Sequence, residues 1–375
     1  MKPILVIAVL AFAALSLALG QTMNKQPAPI PPTDLIRLDR LRADLDFLTS
    51  AALEGRLSLH RGADVTAHFI MAEFRKAGLK PANGNSFLQE FPLVAYRPDG
   101  RGTQLKLHQR GATEAFVYGS EFRGGFPRDV TVKAPVVFAG YGITAPEYGY
   151  DDYAAIDVSG KVVLIFDHEP QERDPSSLFN GTGHTRHASS PWSKYANAQR
   201  HGAVAVLLAS EPRREHRGPF DATPPTADRQ GSRLSAPLQA FDEETRIPAF
   251  IVSDTVAAKL LAGTGKTPAQ WQEVIDRQFK PSSMPLPDCT VEMRVLNAER
   301  KQGTSFNVAG LVEGSDPVLK KETVLLTAHY DHLGVHEGQL YPGANDNGSG
   351  TVAVLELARA FAAHPVKPKR TLLFV

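Results

Sequence analysis

Residues 323–350 read TVLLTAHYDHLGVHEGQLYPGANDNGSG, and in this stretch residue types and spacing suit metal chemistry. Val324, Leu325 and Leu326 form a continuous apolar run, the pattern of a strand buried on both faces of a parallel or mixed sheet. The strand is expected to end at His329. Ligands in open α/β sheets collect at the carboxyl ends of strands, so an imidazole and a carboxylate there are well placed for a site. If the extended conformation persists, His329 and Asp331 point to the same side, and the carboxylate can hold the ring. Asp346 sits in the glycine-rich turn GANDNGSG, where glycine permits tight backbone geometry. The turn leads into a helical pattern over 351–363, with Val354, Leu355, Ala358, Phe361 and Ala362 as its apolar stripe and Pro365 as its stop. RTLLFV at 370–375 reads as the next buried strand. The result is a β-loop-α-β unit with an imidazole and a carboxylate converging above the sheet edge.

The phrases LLTAHYDHLG (325–334) and PGANDNGSGTVAVLELAR (342–359) resemble the zinc motif of the M28 family of di-zinc aminopeptidases. The resemblance implies that His329 binds one zinc ion, that Asp346 bridges two, and that Asp331 orients His329. It also implies hydrolysis of peptide bonds at the N-terminus of a peptide or protein substrate. In that family a Glu-Glu pair, supplying the general base and a zinc ligand, follows the strand matching RTLLFV, and an Asp and a His come later. None of these occurs before Val375. The sequence is therefore expected to be a fragment of a longer enzyme and inactive alone, since a catalytic zinc usually has three protein ligands. His332 matches no zinc position and His336 falls in the variable loop, so neither is taken as a ligand. Taken singly, His329 could be a satisfied histidine at a strand end and Asp346 a helix cap. Two other functions share the scaffold: a glutaminyl-cyclase-like enzyme, and a non-catalytic receptor-like binding protein, against which the intact His329 and Asp346 speak.

With 375 residues, 41 Lys and Arg against 40 Asp and Glu, and 42% hydrophobic residues, the composition is that of a globular protein of two or three domains. Charges of both signs are mixed along the chain, without a basic, aromatic-rich patch, so no nucleic-acid partner is expected. Cys289 is the single cysteine, which excludes an internal disulfide and reads as a buried structural thiol.

Lys2, the apolar run over 4–19 and the small residues Ala18 and Gly20 read as a secretory signal peptide over 1–20, followed by a proline-rich spacer over 21–32. Secretion or a periplasmic location follows, with no stable membrane insertion after cleavage. An uncleaved membrane anchor is the alternative, for which the apolar run is short. Leu38, Leu41, Leu45 and Leu48 share one helical face, and a second helix is expected over 63–77, with Ile70 and Phe74 inward and Gly78 as its stop. The stretch 53–81 resembles the elements before the catalytic part of the M28 family, and its His60 and His68 are read as surface or packing histidines.

From residue 134 short apolar runs follow one another: PVVFAGYGI (135–143), KVVLIF (161–166), AVAVLL (203–208) and PAFIVS (248–253), with a helix at 192–200. Together with GYDDYAAIDVSGKVVLI (149–165) and KYANAQRHGAVAVLL (194–208), they resemble the protease-associated (PA) domain, a module inserted into such peptidases. That implies contacts with substrate or partners, no catalysis by its own residues, and a weaker case for the glutaminyl cyclase. Asp151 and Asp152 are read as a solvated turn. The polar stretches 167–190 and 211–240 are expected to be loops over an access route, and His184 and His187, with no acidic or cysteine partner nearby in sequence, are not taken as metal ligands. A helix over 268–279 and a strand with Val291, Met293 and Val295 on one face return the chain to its main domain. The expected organisation is 33–133 as the first part of the peptidase domain, 134–262 as the insert and 263–375 as the zinc-binding part. The fold class is α/β, a mixed sheet sandwiched by helices, with a β-rich PA insert.

Overall fold

The runs 162–166 and 205–209 are apolar at every position, and strands of this kind need cover on both faces. In the computed structural model, which describes residues 31–188, 190–220, 238–240, 246–336 and 338–375, they form β1 (Val162–Phe166) and β2 (Ala205–Ala209), parallel neighbours with every residue buried. They lie inside an eight-stranded sheet. Val130–Phe138 and Ala249–Val252 flank them in parallel, and antiparallel strands extend the sheet on both sides. The sheet takes in Gln104–Gln109, Ala112–Phe116, Phe122–Gly125 and Met284–Val295, all outside 134–262. Val291, Met293 and Val295 are fully buried in its core. The signal-peptide region and most of the spacer, residues 1–30, lie outside the described residues. Among the described residues, no helix is long and apolar enough to cross a membrane.

A helix joins β1 to β2. Pro191 opens it, the Ser190 hydroxyl accepts a hydrogen bond from Trp192 N, and Gly202 beyond its end has φ +87°. Such a β-α-β crossover leaves the loops after β1 and β2 side by side at the carboxyl ends of both strands.

Two expectations for this region meet a definite outcome. Cys289 is 2% exposed and packs in the core, where burial pushes its thiol up to about 12. Asp152, by contrast, is not in a solvated turn but 1% exposed. Its carboxylate accepts from Tyr141 N at 3.0 Å, Ile143 N at 3.1 Å and Tyr150 Oη at 2.9 Å, holding the GYGI turn from inside. Adjacent residues do point apart here: Asp151 caps outward to Thr144 Oγ1 and Tyr153 N.

The site depends on a second, four-stranded sheet. Its order is Lys80–Pro81, β3 (Gly310–Val312), β5 (Thr371–Phe374) and β4 (Thr323–Leu326), with β4 and β5 parallel and the other pairs antiparallel. Ile70 and Phe74 of the helix Arg61–Lys76, with Leu355 and Ala358 of the helix Ser349–Ala363, cover Leu372 and Phe374. Burying each of the large side chains contributes roughly 2 kcal/mol. The fold is thus mixed α/β. β4 is not buried on both faces, however. Among the described residues it stands at the edge of the sheet, and Val324 and Leu325 are 44% and 57% exposed.

Candidate metal centre

The parallel ladder of β4 and β5 continues beyond Leu326, with Val375 N donating to Leu326 O at 2.9 Å and Ala328 N to Val375 O at 3.0 Å. His329 is therefore the first residue clear of the sheet. The following helix begins at Ser349, two residues earlier than its periodicity suggests. In its first turn, Thr351 Oγ1 lies 3.0 Å from both His329 O and Asn347 O, joining the strand end to the Asp346 loop. The loop leaves helical geometry at Asp346 and Asn347, whose connecting peptide is cis.

The two segments converge. His329 Nε2 is 3.0 Å from Asp346 Oδ1, and both side chains are more than half exposed, so the pair is open to solvent. His332 Nδ1 stands 3.7 Å from Asp346 Oδ2, so the two carboxylate oxygens face different imidazoles. Burial pushes the His332 ring below its usual value, toward the neutral form. Asp331 supports the site differently from the simple same-side picture. His329 Nδ1 is 3.1 Å from the Asp331 main-chain oxygen and 3.5 Å from its carboxylate, whose other oxygen accepts from Ser58 Oγ at 2.6 Å.

Arg56, which the sequence did not single out, holds this arrangement. Fully buried, it donates to Tyr330 O at 2.6 Å, Pro342 O at 2.7 Å, Gly343 O at 3.0 Å and Leu48 O, while its own carbonyl accepts from His332 N at 3.1 Å. The partners are all main-chain carbonyls, which leave no trace in a sequence. The helix Ser349–Ala363 is fixed in turn by Arg359, which reaches Asp44 at 2.5 Å and Glu73 at 2.7 Å, and by buried Glu356, which accepts from Arg40 at 2.6 Å and Arg37 N at 2.7 Å.

The remaining histidines sort clearly. His60 and His68 contact main-chain oxygens of Ser58 and Asp64. His336 Nε2 is buried without a hydrogen-bond partner among the described residues. His184 and His187 do have carboxylate partners, contrary to expectation: Glu172 at 3.1 Å and Glu147 at 2.9 Å, each brought in by folding from outside the H-x-x-H spacing. His184 adjoins a group that sequence spacing did not reveal, His168, Glu172, Glu211 and His216.

An imidazole nitrogen and a carboxylate oxygen held together over parallel strand ends are a donor set suited to a divalent transition ion. Residues 307–375, which carry that pair, match Peptidase family M28, and residues 132–260 match the PA domain. The chain thus carries an M28 peptidase segment with a PA domain placed before it. It is similar to Aminopeptidase YwaD of Bacillus subtilis (strain 168), 25% identical over 228 residues that cover 60% of this chain and 35% of that protein. Among solved structures, an aminopeptidase from Aneurinibacillus sp. strain AM-1 matches with a TM-score of 0.42 and 21% identity, covering 91% of this chain and 62% of the other. BSAP, a zinc aminopeptidase from Bacillus subtilis, matches with a TM-score of 0.34 and 18% identity, covering 90% and 61%. The chain spans about a third of the length of the curated relative and about three fifths of these structures.

Proposed function

We propose that this chain supplies part of the active site of a zinc-dependent aminopeptidase that removes N-terminal residues from peptides. The observation that carries the reading is the 3.0 Å approach of His329 Nε2 to Asp346 Oδ1 inside the segment matching Peptidase family M28. An imidazole nitrogen and a carboxylate oxygen are good zinc donors, and both are open to solvent, so the residues present fit the metal. His329 serves as a terminal ligand. Asp346, whose two oxygens face different imidazoles, would hold metal through both. Asp331 fixes the His329 ring through its main-chain oxygen, while Ser58 holds its carboxylate, and Arg56 keeps both loops in register.

When bound, zinc polarises a scissile carbonyl and lowers the pKa of a water molecule so that it can attack near neutral pH. The protein's part is to present an imidazole nitrogen at His329 and a carboxylate oxygen at Asp346, and to hold both at a strand end and a helix start. Two donors are fewer than the three that a catalytic zinc usually has. The reading therefore requires at least one further metal donor and a general base beyond His329 and Asp346. The apolar run over 4–19 supports export of the protein.

The test is hydrolysis of leucine p-nitroanilide by the protein expressed from its complete gene. The reading expects activity that is lost on chelation, restored by zinc, absent with an N-acetylated substrate, and reduced by at least about a thousandfold in His329→Ala and Asp346→Asn. Activity unaffected by either substitution would overturn it.

A further inference from the structure

The loops leaving β1 and β2 carry a second group of donors, on the other sheet from His329 and Asp346. His168 follows the end of β1 by two residues, and Glu211 follows the end of β2 by two. Glu172 and His216 lie farther along the same loops. We propose that His168 Nδ1, Glu172 Oε1, Glu211 Oε2 and His216 Nε2 form a binding site for one divalent transition ion of the zinc class, which ties the two loops together.

The spacing of the four atoms is the first argument. His168 Nδ1 is 3.1 Å from His216 Nε2, 3.4 Å from Glu172 Oε1 and 3.5 Å from Glu211 Oε2, and His216 Nε2 is 3.7 Å from Glu172 Oε1. All four lie within 4.8 Å of one another. Zinc binds imidazole nitrogen and carboxylate oxygen at about 2.0–2.2 Å, and four donors arranged tetrahedrally at that radius stand about 3.3–3.6 Å apart. Each of the four residues offers a single atom to all of these contacts.

Glu211 is the second argument, independent of the first. It is 2% exposed, and its Oε1 accepts from Gln272 and faces the Tyr141 hydroxyl, yet Oε2 has no hydrogen-bond partner among the described residues. A buried carboxylate oxygen without a partner is costly, and a cation at the centre of the group would satisfy it. Buried Lys194 donates instead to the main-chain oxygens of Tyr141, Phe166 and His168. It positions the loop and does not contact either glutamate through a hydrogen bond.

The surroundings suit a metal. His216 Nδ1 is 3.3 Å from Arg217 O, and a proton there leaves the Nε2 lone pair for the ion. His184 Nε2, 3.1 Å from Glu172 Oε1, steadies that carboxylate. Two imidazoles with two carboxylates favour zinc and its transition-metal neighbours over calcium or magnesium, which take oxygen ligands. His216, at 42% side-chain exposure, leaves a path from solvent. None of this rests on the roles given to His329 and Asp346.

The test uses the full chain carrying His329→Ala and Asp346→Asn, so that the other centre is silent, stripped with a chelator, desalted and titrated with Co2+ alone. The expected result is uptake of one equivalent with the visible absorption of four-coordinate cobalt, displaced by Zn2+. Adding His216→Ala, at an exposed loop position, or Glu172→Gln should weaken uptake by at least about tenfold, with an unchanged circular dichroism spectrum. Absence of stoichiometric uptake in the silenced chain, or an affinity that neither additional substitution moves, would overturn the proposal.

Discussion

The guanidinium of Arg56, with no exposed surface, donates to Gly343 O at 3.0 Å and to Tyr330 O at 2.6 Å, so one side chain spans both segments that carry His329 and Asp346. A planar fork can satisfy several carbonyls at fixed angles, and a lysine ammonium cannot reproduce it. Arg56→Lys is predicted to lower stability by about 2–4 kcal/mol, because buried carbonyls of Pro342, Gly343 and Tyr330 lose their donors. It should also weaken zinc binding at the exposed pair by about tenfold or more. Urea unfolding and zinc titration check the two effects, and an unaltered zinc affinity would show that Arg56 acts on stability alone.

Gly343 has φ +60°, and a Cβ there would come within 2.5 Å of the His332 ring and 2.6 Å of Asp346 O. Both the left-handed backbone and the close approach require glycine. Gly343→Ala is expected to cost about 2 kcal/mol or more and to displace Asp346 from His329. A crystal structure of the variant with the 3.0 Å contact retained would contradict this.

Burial pushes Asp152 from 3.8 up to about 7, against the hydrogen bonds from Ile143 N, Tyr150 Oη and Tyr141 N and the charge of Lys194. Between those two values the unfolded chain has released the proton and the folded chain has kept it, so this group's contribution to stability falls as pH rises through the window. Asp152→Asn removes the titration while offering an acceptor to the amides and a donor to Tyr150. The stability of the natural chain minus that of Asp152→Asn should fall by up to about 4 kcal/mol between about pH 4 and pH 7.5. Urea melts across that range decide it, and a flat difference would exclude the effect.

Cys289 is 2% exposed and its thiol is pushed up to about 12, so the reactive thiolate is scarce and shielded. A disulfide reagent such as DTNB is expected to label none of it in native buffer within minutes and one equivalent in guanidinium. Rapid native labelling would place Cys289 at the surface.

Much of this was legible because period and composition act locally. The uniformly apolar 162–166 and 205–209 runs are buried parallel strands, and the stripe Leu355 and Ala358 faces the core as its spacing requires. Val324 and Leu325 are apolar enough for a strand covered on both faces, yet among the described residues their strand has a neighbour on one side only. Asp152 and Arg56 owe their positions to partners that are, apart from the Tyr150 hydroxyl, main-chain groups that folding supplies and a sequence does not display. The contact of His184 with Glu172, and the assembly of His168, Glu172, Glu211 and His216, join loops from two strands and have no motif spacing to read. The His329 and Asp346 pair was the opposite case, because both residues lie in one continuous stretch of sequence, at a strand end and just before a helix start.

The most direct test of the central account is diffraction at the zinc absorption edge from crystals of the protein grown with zinc. The account predicts an anomalous peak about 2.0–2.2 Å from both His329 Nε2 and an Asp346 carboxylate oxygen, removed by His329→Ala. Zinc density absent from between those two side chains in fully loaded protein would contradict the assignment of His329 and Asp346 as metal ligands.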